Sequence, residues 1–368
     1  MTKAYIISAK RSIVAPIGGA LAAFDVHDLA TPVITDCLKS AGLYANQVDE
    51  LILSNALYGG GNPARLAALA AGLSETVAGL SIDRQCAGGL DAILLAARMI
   101  QSGAGNIIIA GGAESYSRRP IRQKTFFDGR APQPYDRPPF TPWADSDPDM
   151  HTAAGDLAKQ LAITQSDQDK WSIESHAKAL KHIDQLSNEI TPIENVSNIS
   201  DPYARALTES LCKRAKPLSE TITSANTATA ADAAAFCVVV SEQMLKTLPD
   251  VKAVEIECGA TVGADPTLPG LAPVTAIKTI GANQKAFTHI EIMEAYAAQA
   301  IACTHQAGLN PAQVNQKGGA LARGHPIAAS GAILAVRLYN DLVETGGGTG
   351  LAAIAAAGGI ATALQLKS

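Results

Sequence analysis

Aromatic residues and long hydrophobic runs are both scarce in this chain. Phe, Trp and Tyr make up 4% of its 368 residues, whereas hydrophobic residues make up 47%. The core must therefore be packed from small aliphatic side chains, as it is where helices press against sheets. No apolar stretch reaches the ~18 residues of a membrane span, and residues 1–10 contain no signal-peptide core. We therefore expect a cytoplasmic protein that does not cross a membrane.

Signatures of several other protein classes are missing too. The six cysteines form no C-x-x-C pair and no metal-ligand spacing, which favours reduced thiols and predicts no metal site. There is no G-x-S-x-G elbow of a serine hydrolase. The net charge of −5 gives no general attraction to nucleic acid or to an anionic membrane. We expect neither of these among its partners.

Strands and helices are predicted to alternate along most of the chain, which favours α/β layers. The elements fall into two similar sets. Each set has a reactive residue at a helix start, first Cys86 and then His325, and an apolar strand that runs into Gly-Gly. We interpret this as an ancient duplication. Strands are predicted at 4–8, 50–54, 78–82, 106–110, 235–240, 253–257, 287–291, 351–356 and 360–366, and helices at 27–40, 62–72, 87–102, 241–246, 271–281, 294–307 and 327–343.

Cys86 is the strongest candidate for a catalytic residue. The apolar run 77–82 predicts a buried strand and 90–100 predicts a helix, so Cys86 lies in the turn at the helix N-terminus. Unpaired N–H groups and the helix dipole would favour a thiolate there, with a pKa of roughly 3.5–7.5. The alternative is a buried structural cysteine. The polar residues 83–85 directly before Cys86 favour the reactive site.

A glycine-rich segment near the C-terminus supplies a matching histidine. His325 directly precedes a predicted helix, and Pro326 suits the first position of that helix. The helix dipole opposes an imidazolium there, so we expect a neutral imidazole, which suits a general base or an oxyanion donor. Gly88 and Gly89 would let a substrate carbonyl approach the backbone beside Cys86. Cys86 and His325 thus form a nucleophile–base pair in outline.

Five motifs resemble those of the thiolase family, whose members make and break acyl-CoA carbon–carbon bonds through an acyl-cysteine. They occur in the family's order, and the resemblance covers nearly the whole chain. The motifs are Asn-Pro-Ala-Arg at 62–65, the nucleophile motif at 83–90, Gly-Gly-Ala-Glu-Ser at 111–115, the segment opening with Asp-Pro at 265–276, and the Gly-His-Pro signature within 315–331.

The resemblance implies a fold and an assembly. It implies a five-layer αβαβα sandwich of two duplicated βαβαβαββ halves, with a loop domain inserted into the first half. The predicted domains are 1–114 with 234–248 for the first half, 115–233 for the loop domain that covers the CoA site, and 249–368 for the second half. A homodimer or homotetramer is implied as well.

The resemblance also assigns residues to an acyl-CoA site. Cys86 would carry the acyl group, His325 would act as base, and the N–H groups of Cys86 and Ala357 would bind the oxyanion. The CoA thioester is the substrate, so neither a cofactor nor a metal is implied. Basic residues at 117–124 would suit the phosphates of CoA. The residues expected to contact CoA or its acyl group are Met150, Arg205 and Ala228.

The chain departs from the family at a second catalytic position. Condensing thiolases carry a Cys-x-Gly-Gly-Gly motif whose cysteine moves a proton on the α-carbon, and the corresponding residue here is Ala355. The asparagine of the family's Asn-Glu-Ala-Phe motif, which positions a water in an oxyanion hole, is Met293. We expect acyl transfer to Cys86 to be retained, and condensation and thiolysis to be crippled unless another group substitutes. The candidates for that substitution are His151, Glu294 and Tyr296.

Two binding motifs differ as well. The family's Asn-Ala-Ser-Gly, which lines the pantetheine tunnel, is Asn-Thr-Ala-Thr at 226–229. The loop motif Met-Gly-x-Thr-Ala-Glu is Met-His-Thr-Ala-Ala at 150–154, which keeps Met150 but loses the acid.

Three functions stay open on this evidence. The first is an acyl-CoA acyltransferase with an acyl-cysteine on Cys86, still able to condense through a substituted base. The second is non-condensing acyl transfer or thioester hydrolysis. The third is a non-catalytic subunit that binds CoA esters. The presence of Cys86 and His325 disfavours the third, and Ala355 disfavours the simplest form of the first.

Overall fold

The computed structural model describes residues 2–248, 250–282 and 285–368, in which strands and helices alternate as predicted. The strands are β1 (Ala4–Arg11), β2 (Ala15–Pro16), β3 (Glu50–Ser54), β4 (Leu80–Ile82), β5 (Ile107–Glu114), β6 (Gln123–Lys124), β7 (Gln133–Pro134), β8 (Pro217–Ser219), β9 (Ile222–Thr223), β10 (Ala231–Ser241), β11 (Val254–Gly263), β12 (His289–Ile292), β13 (Thr349–Ala356) and β14 (Ile360–Lys367). The helices are α1 (Val26–Ala41), α2 (Pro63–Ala70), α3 (Gly88–Gln101), α4 (Met150–Gln160), α5 (Gln165–Lys181), α6 (Ile183–Ser187), α7 (Glu209–Cys212), α8 (Glu242–Leu245), α9 (Ala272–Thr279), α10 (Ala297–Gln306), α11 (Ala320–Arg323) and α12 (Ile327–Glu344).

The two halves of the chain build sheets with the same strand order. The first sheet runs β4-β3-β5-β10-β1, with β3 parallel to β4 and β5, and β10 antiparallel to its neighbours. The second runs β12-β13-β14-β11, with one parallel pair followed by two antiparallel pairs. A parallel bridge between Ile290 and Val314 occupies the place that β4 has in the first sheet. The shared order and directions support the duplication.

Two helices separate these sheets. α3 packs against β5 and β10 of the first sheet and against β11 and β14 of the second, and α12 likewise contacts both sheets. α1 and α2 cover the outer face of the first sheet, and α9 and α10 cover that of the second. The predicted αβαβα sandwich is therefore confirmed. A short pairing of Tyr5 and Ile6 with Glu255 and Val254 joins the two sheets edge to edge.

Some predicted elements differ from the structure at their ends. The strand expected at 77–82 is the three-residue β4, and Leu80 on this edge strand is exposed rather than buried. Gly111 and Gly112 lie inside β5 instead of following it. The helix expected at 294–307 begins at Ala297, because the residues before it are drawn into backbone pairing with Thr227 and Ala228.

Residues between β5 and β10 hold little sheet structure. The proline-rich stretch has only the two-residue strands β6 and β7, and it is followed by α4, α5 and α6. α4 packs against α10 of the second half, so this segment lies over the junction between the halves. The exact division of the chain into two halves and a loop domain stays a prediction.

Candidate active site

Cys86 lies in a tight turn between β4 and α3. The Asp83 carboxylate accepts a hydrogen bond from the Gln85 N–H at 2.8 Å, and Gln85 has a left-handed φ of 52°. The Ala87 N–H donates to the Arg84 carbonyl at 3.2 Å. Asp side chains commonly close turns in this way. The turn presents the cysteine sulfur just ahead of α3.

His325 lies in the connection between α11 and α12. Gly324 before it has a φ of 116°, a backbone conformation that side chains disfavour. The His325 N–H donates to the Thr229 carbonyl at 2.7 Å, which fixes the residue beside the start of β10. Pro326 stands one position ahead of the first residue of α12, rather than at that residue.

The side chains of Cys86 and His325 are in contact just ahead of α3 and α12, the two helices of the central layer. Nε2 of His325 lies 3.2 Å from Sγ of Cys86, and Nδ1 lies 2.6 Å from Oγ of Ser330. For Nε2 to accept the thiol proton, Nδ1 carries the ring proton and donates it to the serine. Ser330 is buried in α12, so it holds the ring in that orientation. Sequence reasoning missed this serine, although it lies within the Gly-His-Pro motif.

Close packing of α3 on α12 brings the pair together. A Cβ added at Gly89 would lie 2.6 Å from the Ala328 carbonyl oxygen and 2.7 Å from the Ala332 nitrogen. A Cβ at Gly88 would strike Oγ of Ser54. The expectation that these two glycines leave room for a substrate carbonyl is therefore wrong. They leave room for neighbouring elements of the fold.

Burial determines the protonation state of the pair. Burial raises the pKa of the Cys86 thiol to about 12, and the carboxylates of Glu114 and Asp83 add to the effect. A hydrogen bond from the cysteine's own N–H acts in the opposite direction. Burial lowers the pKa of His325 to about 4. Burial therefore favours the predicted neutral imidazole, and it opposes the low thiol pKa expected from the helix dipole.

A cavity of about 860 Å³ opens onto this pair. Its walls come from both halves of the chain and from the segment between β5 and β10. Ala355, at the position of the family's second cysteine, forms part of the wall. The other predicted site residues that line the cavity are Met150, His151, Ala228, Tyr296 and Ala357.

Two predicted site residues lie elsewhere. Arg205, expected to contact the nucleotide, instead stacks over the Tyr203 ring at 4.5 Å, outside the cavity wall. Glu294 is buried behind the cavity, and its carboxylate accepts hydrogen bonds from Trp171 Nε1 at 3.0 Å and Asn315 Nδ2 at 2.8 Å. Ser175 and the Leu321 N–H also donate to it. A carboxylate held by so many donors is a structural anchor rather than a mobile base.

Further polar residues of the cavity wall were not singled out individually from the sequence. Arg122 lines the cavity and donates to the Ala56 carbonyl at 2.8 Å, while Arg137 is held by Asp147. The basic composition of 117–124 was the one signal for Arg122. Thr227 lines the cavity as well, and its hydroxyl is buried without a partner in the described part of the chain.

The described residues contain no cluster of three or more His, Cys, Asp and Glu side chains placed to hold a metal ion. Within 2–248, 250–282 and 285–368, no helix combines the length and the apolar character that crossing a membrane requires.

Comparisons with known proteins agree with the fold and with the predicted family. A Staphylococcus aureus (strain MRSA252) protein with the provisional name acetyl-CoA C-acetyltransferase VraB is 34% identical over 96% of this chain and 99% of its own length. Its namesake from Staphylococcus haemolyticus is 34% identical over 92% and 93%. The crystal structure of the Bacillus anthracis acetyl-CoA acetyltransferase has a TM-score of 0.91 and 31% identity, covering 100% of this chain and 99% of that one.

Family models account for nearly all of the sequence. The thiolase N-terminal domain model matches residues 4–243, and the thiolase C-terminal domain model matches residues 251–368. This chain belongs to the thiolase family.

Proposed function

We propose that the chain is an acyl-CoA acyltransferase that forms an acyl-cysteine on Cys86. The observation that carries this proposal is the 3.2 Å contact between Cys86 Sγ and His325 Nε2 at the wall of a cavity of about 860 Å³. The names of the Staphylococcus and Bacillus anthracis relatives, all acetyl-CoA acetyltransferases, support it.

In the first half-reaction, Sγ attacks the thioester carbonyl while His325 removes the thiol proton. Both groups are neutral at rest, so the proton moves during the attack rather than before it. The imidazolium is short-lived, because it returns the proton to the departing CoA sulfur. The hydrogen bond from Nδ1 to Ser330 keeps Nε2 directed at the sulfur throughout.

The oxyanion of this step needs donors near the thioester carbonyl. We assign this role to the N–H groups of Cys86 and Ala357. Ala357 directly follows β13 and lines the cavity together with Cys86. Backbone donors aimed at a developing charge typically contribute a factor of about 10²–10³ each.

Coenzyme A would occupy the remaining cavity. Met150 and Ala228 line it and are proposed to contact the pantetheine arm. Arg205 is not part of this proposal, because it lies outside the cavity wall. A homodimer or homotetramer, with the loop domain over the CoA site, is proposed from the family membership.

A second candidate function is non-condensing transfer or hydrolysis of the acyl group. One observation favours it: Ala355 presents a methyl group to the cavity where the family's condensing members carry a thiol. An acyl-enzyme formed on Cys86 is common to both candidates.

Intact-mass measurement after incubation with acetyl-CoA tests the acyl-enzyme. We expect the mass to rise by one acetyl group, and peptide mapping to find it on Cys86. Cys86→Ala should abolish the adduct. Cys258→Ala is the matched control, because Cys258 is half-buried in β11, away from the cavity, and should leave the adduct intact. Absence of the adduct in the unmodified protein, or its persistence in Cys86→Ala, would contradict the proposal.

A further inference from the structure

Two side chains unlike the family's meet in the cavity wall. His151 stands where the family's loop motif has glycine, and Tyr296 where the Asn-Glu-Ala-Phe motif has phenylalanine. Tyr296 Oη lies 3.0 Å from His151 Nδ1, and the two rings pack edge to face with their centroids 5.7 Å apart. Both residues line the cavity that holds Cys86. Each substitution supplies the partner that the other needs.

Both side chains stand on well-defined backbone. The Asp149 carboxylate accepts the His151 N–H at 2.8 Å and so caps the start of α4. Tyr296 directly precedes α10, and its backbone pairs with that of Thr227. α4 also packs against α10. The hydrogen bond therefore joins two elements that are already in contact, which preorganises it.

The other residues considered for a second base at this site are unsuited to that role. Ala355 has no titratable group, and the Glu294 carboxylate is held by Trp171, Ser175 and Asn315 behind the wall. His325 serves the thiol of Cys86. Of the candidates that the sequence suggested, His151 and Tyr296 are the two that line this cavity, and they are hydrogen-bonded to each other.

Burial shows how such a pair can work. Burial raises the pKa of Tyr296, and the nearby Asp149 carboxylate raises it further, so a free tyrosinate is disfavoured. If the Tyr296 hydroxyl gives its proton to His151 Nδ1 while it accepts a proton from the substrate, its oxygen never carries a full negative charge. The histidine acts through the tyrosine and holds the resulting positive charge.

We propose that Tyr296, backed by His151, removes the α-proton of the second acyl-CoA in place of the missing cysteine at position 355. This inference rests on the proposed function. The C–H proton passes to Tyr296 Oη as the hydroxyl proton passes to His151 Nδ1. The carbanion attacks the carbonyl of acyl-Cys86, a C–C bond forms and the C–S bond breaks. The proton held by the pair then returns to the Cys86 thiolate, which restores the thiol.

The test separates acylation of Cys86 from chemistry at the α-carbon. Acetyl-CoA is incubated with the full-length protein in deuterated buffer, and deuterium in its methyl group, acetoacetyl-CoA, free acetate and the Cys86 adduct are each measured by mass. We expect the unmodified protein to exchange methyl protons and to form acetoacetyl-CoA. Tyr296→Phe and His151→Gln should lower both by about 10²-fold, the usual size of an acid–base contribution. Formation of the Cys86 adduct by these variants also reports that they are folded.

Two further variants sharpen the result. Tyr44→Phe makes the same chemical change on an exposed tyrosine far along the chain, and should leave every readout unchanged. Adding Ala355→Cys to Tyr296→Phe should restore exchange, which a merely structural role of Tyr296 would not allow.

The opposing outcomes are distinct. An unmodified protein that forms the adduct but exchanges no methyl protons overturns this inference and leaves the proposed function standing. The same holds if Tyr296→Phe exchanges normally, or if the adduct is released only as acetate. A failure to form any adduct overturns the proposed function instead.

Discussion

The contact of α3 with α12 predicts that a single methyl group will disturb both stability and catalysis. In Gly89→Ala, the new Cβ meets the Ala328 carbonyl oxygen at 2.6 Å and the Ala332 nitrogen at 2.7 Å. Both are backbone atoms, so rotating a side chain cannot relieve the overlap, and one helix must move. That movement also alters the 3.2 Å separation of Cys86 Sγ from His325 Nε2, since each lies just ahead of one of these helices.

Two opposing contributions decide the magnitude. Replacing glycine by alanine inside a helix gains about 1 kcal/mol at most, and less in the first turn, where Gly89 lies. Overpacking a well-packed core costs about 1–3 kcal/mol, and a backbone clash belongs at the upper end of that range. We therefore expect the free energy of unfolding to fall by about 2 kcal/mol, and the rate of Cys86 acylation to fall with it.

Urea unfolding, followed by circular dichroism, measures the first quantity, and intact mass against time measures the second. Gly155→Ala is the matched control, because it makes the same change inside α4, where the nearest atom to the new Cβ lies at 3.4 Å. That variant should be as stable as the unmodified protein or more so. If Gly89→Ala is equally stable and acylates Cys86 normally, close helix packing does not control the site.

Four other predictions concern the chemistry of the pair and of the cavity. Ser330→Ala should slow acylation of Cys86 about three- to tenfold, since one hydrogen bond of about 1 kcal/mol orients His325. An unchanged rate, measured by intact mass in reactions quenched at successive times, would exclude that role. The acylation rate should be constant at neutral pH and fall as the pH drops through about 4, where His325 becomes protonated and can no longer accept the thiol proton. Alkylation of Cys86 by iodoacetamide should keep rising to alkaline pH, because the thiol is neutral at rest, and a plateau near neutral pH would instead reveal a thiolate–imidazolium pair. Ala355→Cys should raise thiolysis of acetoacetyl-CoA by tenfold or more, within the 10²–10⁴ range of acid–base catalysis, and no gain in a CoA-dependent absorbance assay would show that position 355 does not limit the reaction.

Much of the fold could be predicted from local patterns. The helices α3 and α12 were predicted within one residue at each end, because their apolar residues recur with helical spacing over several turns. The burial predicted for β4 was wrong, because an apolar run does not reveal that its strand lies at a sheet edge. The edge-to-edge joining of the two sheets through β1 and β11 left no local signal either, since it depends on two residues of each strand.

The candidate site was also predictable only in part. Cys86 and His325 could be singled out, since each follows a recognisable turn and precedes a helix. Ser330 could not, because its role depends on the direction of one helix turn relative to the imidazole. Glu294 was predicted as a possible acid or base. Its hydrogen-bond donors come from α5 and from the 315–321 segment, which are remote from it in the sequence.

By itself, the sequence determined the family, the layered architecture and the two candidate catalytic residues, because motif order and periodicity are properties of the chain alone. The tertiary structure decided how far burial shifts the pKa values of those residues, since desolvation depends on what surrounds a group and not on what precedes it. It also decided that His151 and Tyr296, 145 residues apart in the chain, lie within hydrogen-bond distance at 3.0 Å. The distance between these two side chains is set by the packing of α4 on α10, which no local sequence pattern predicts.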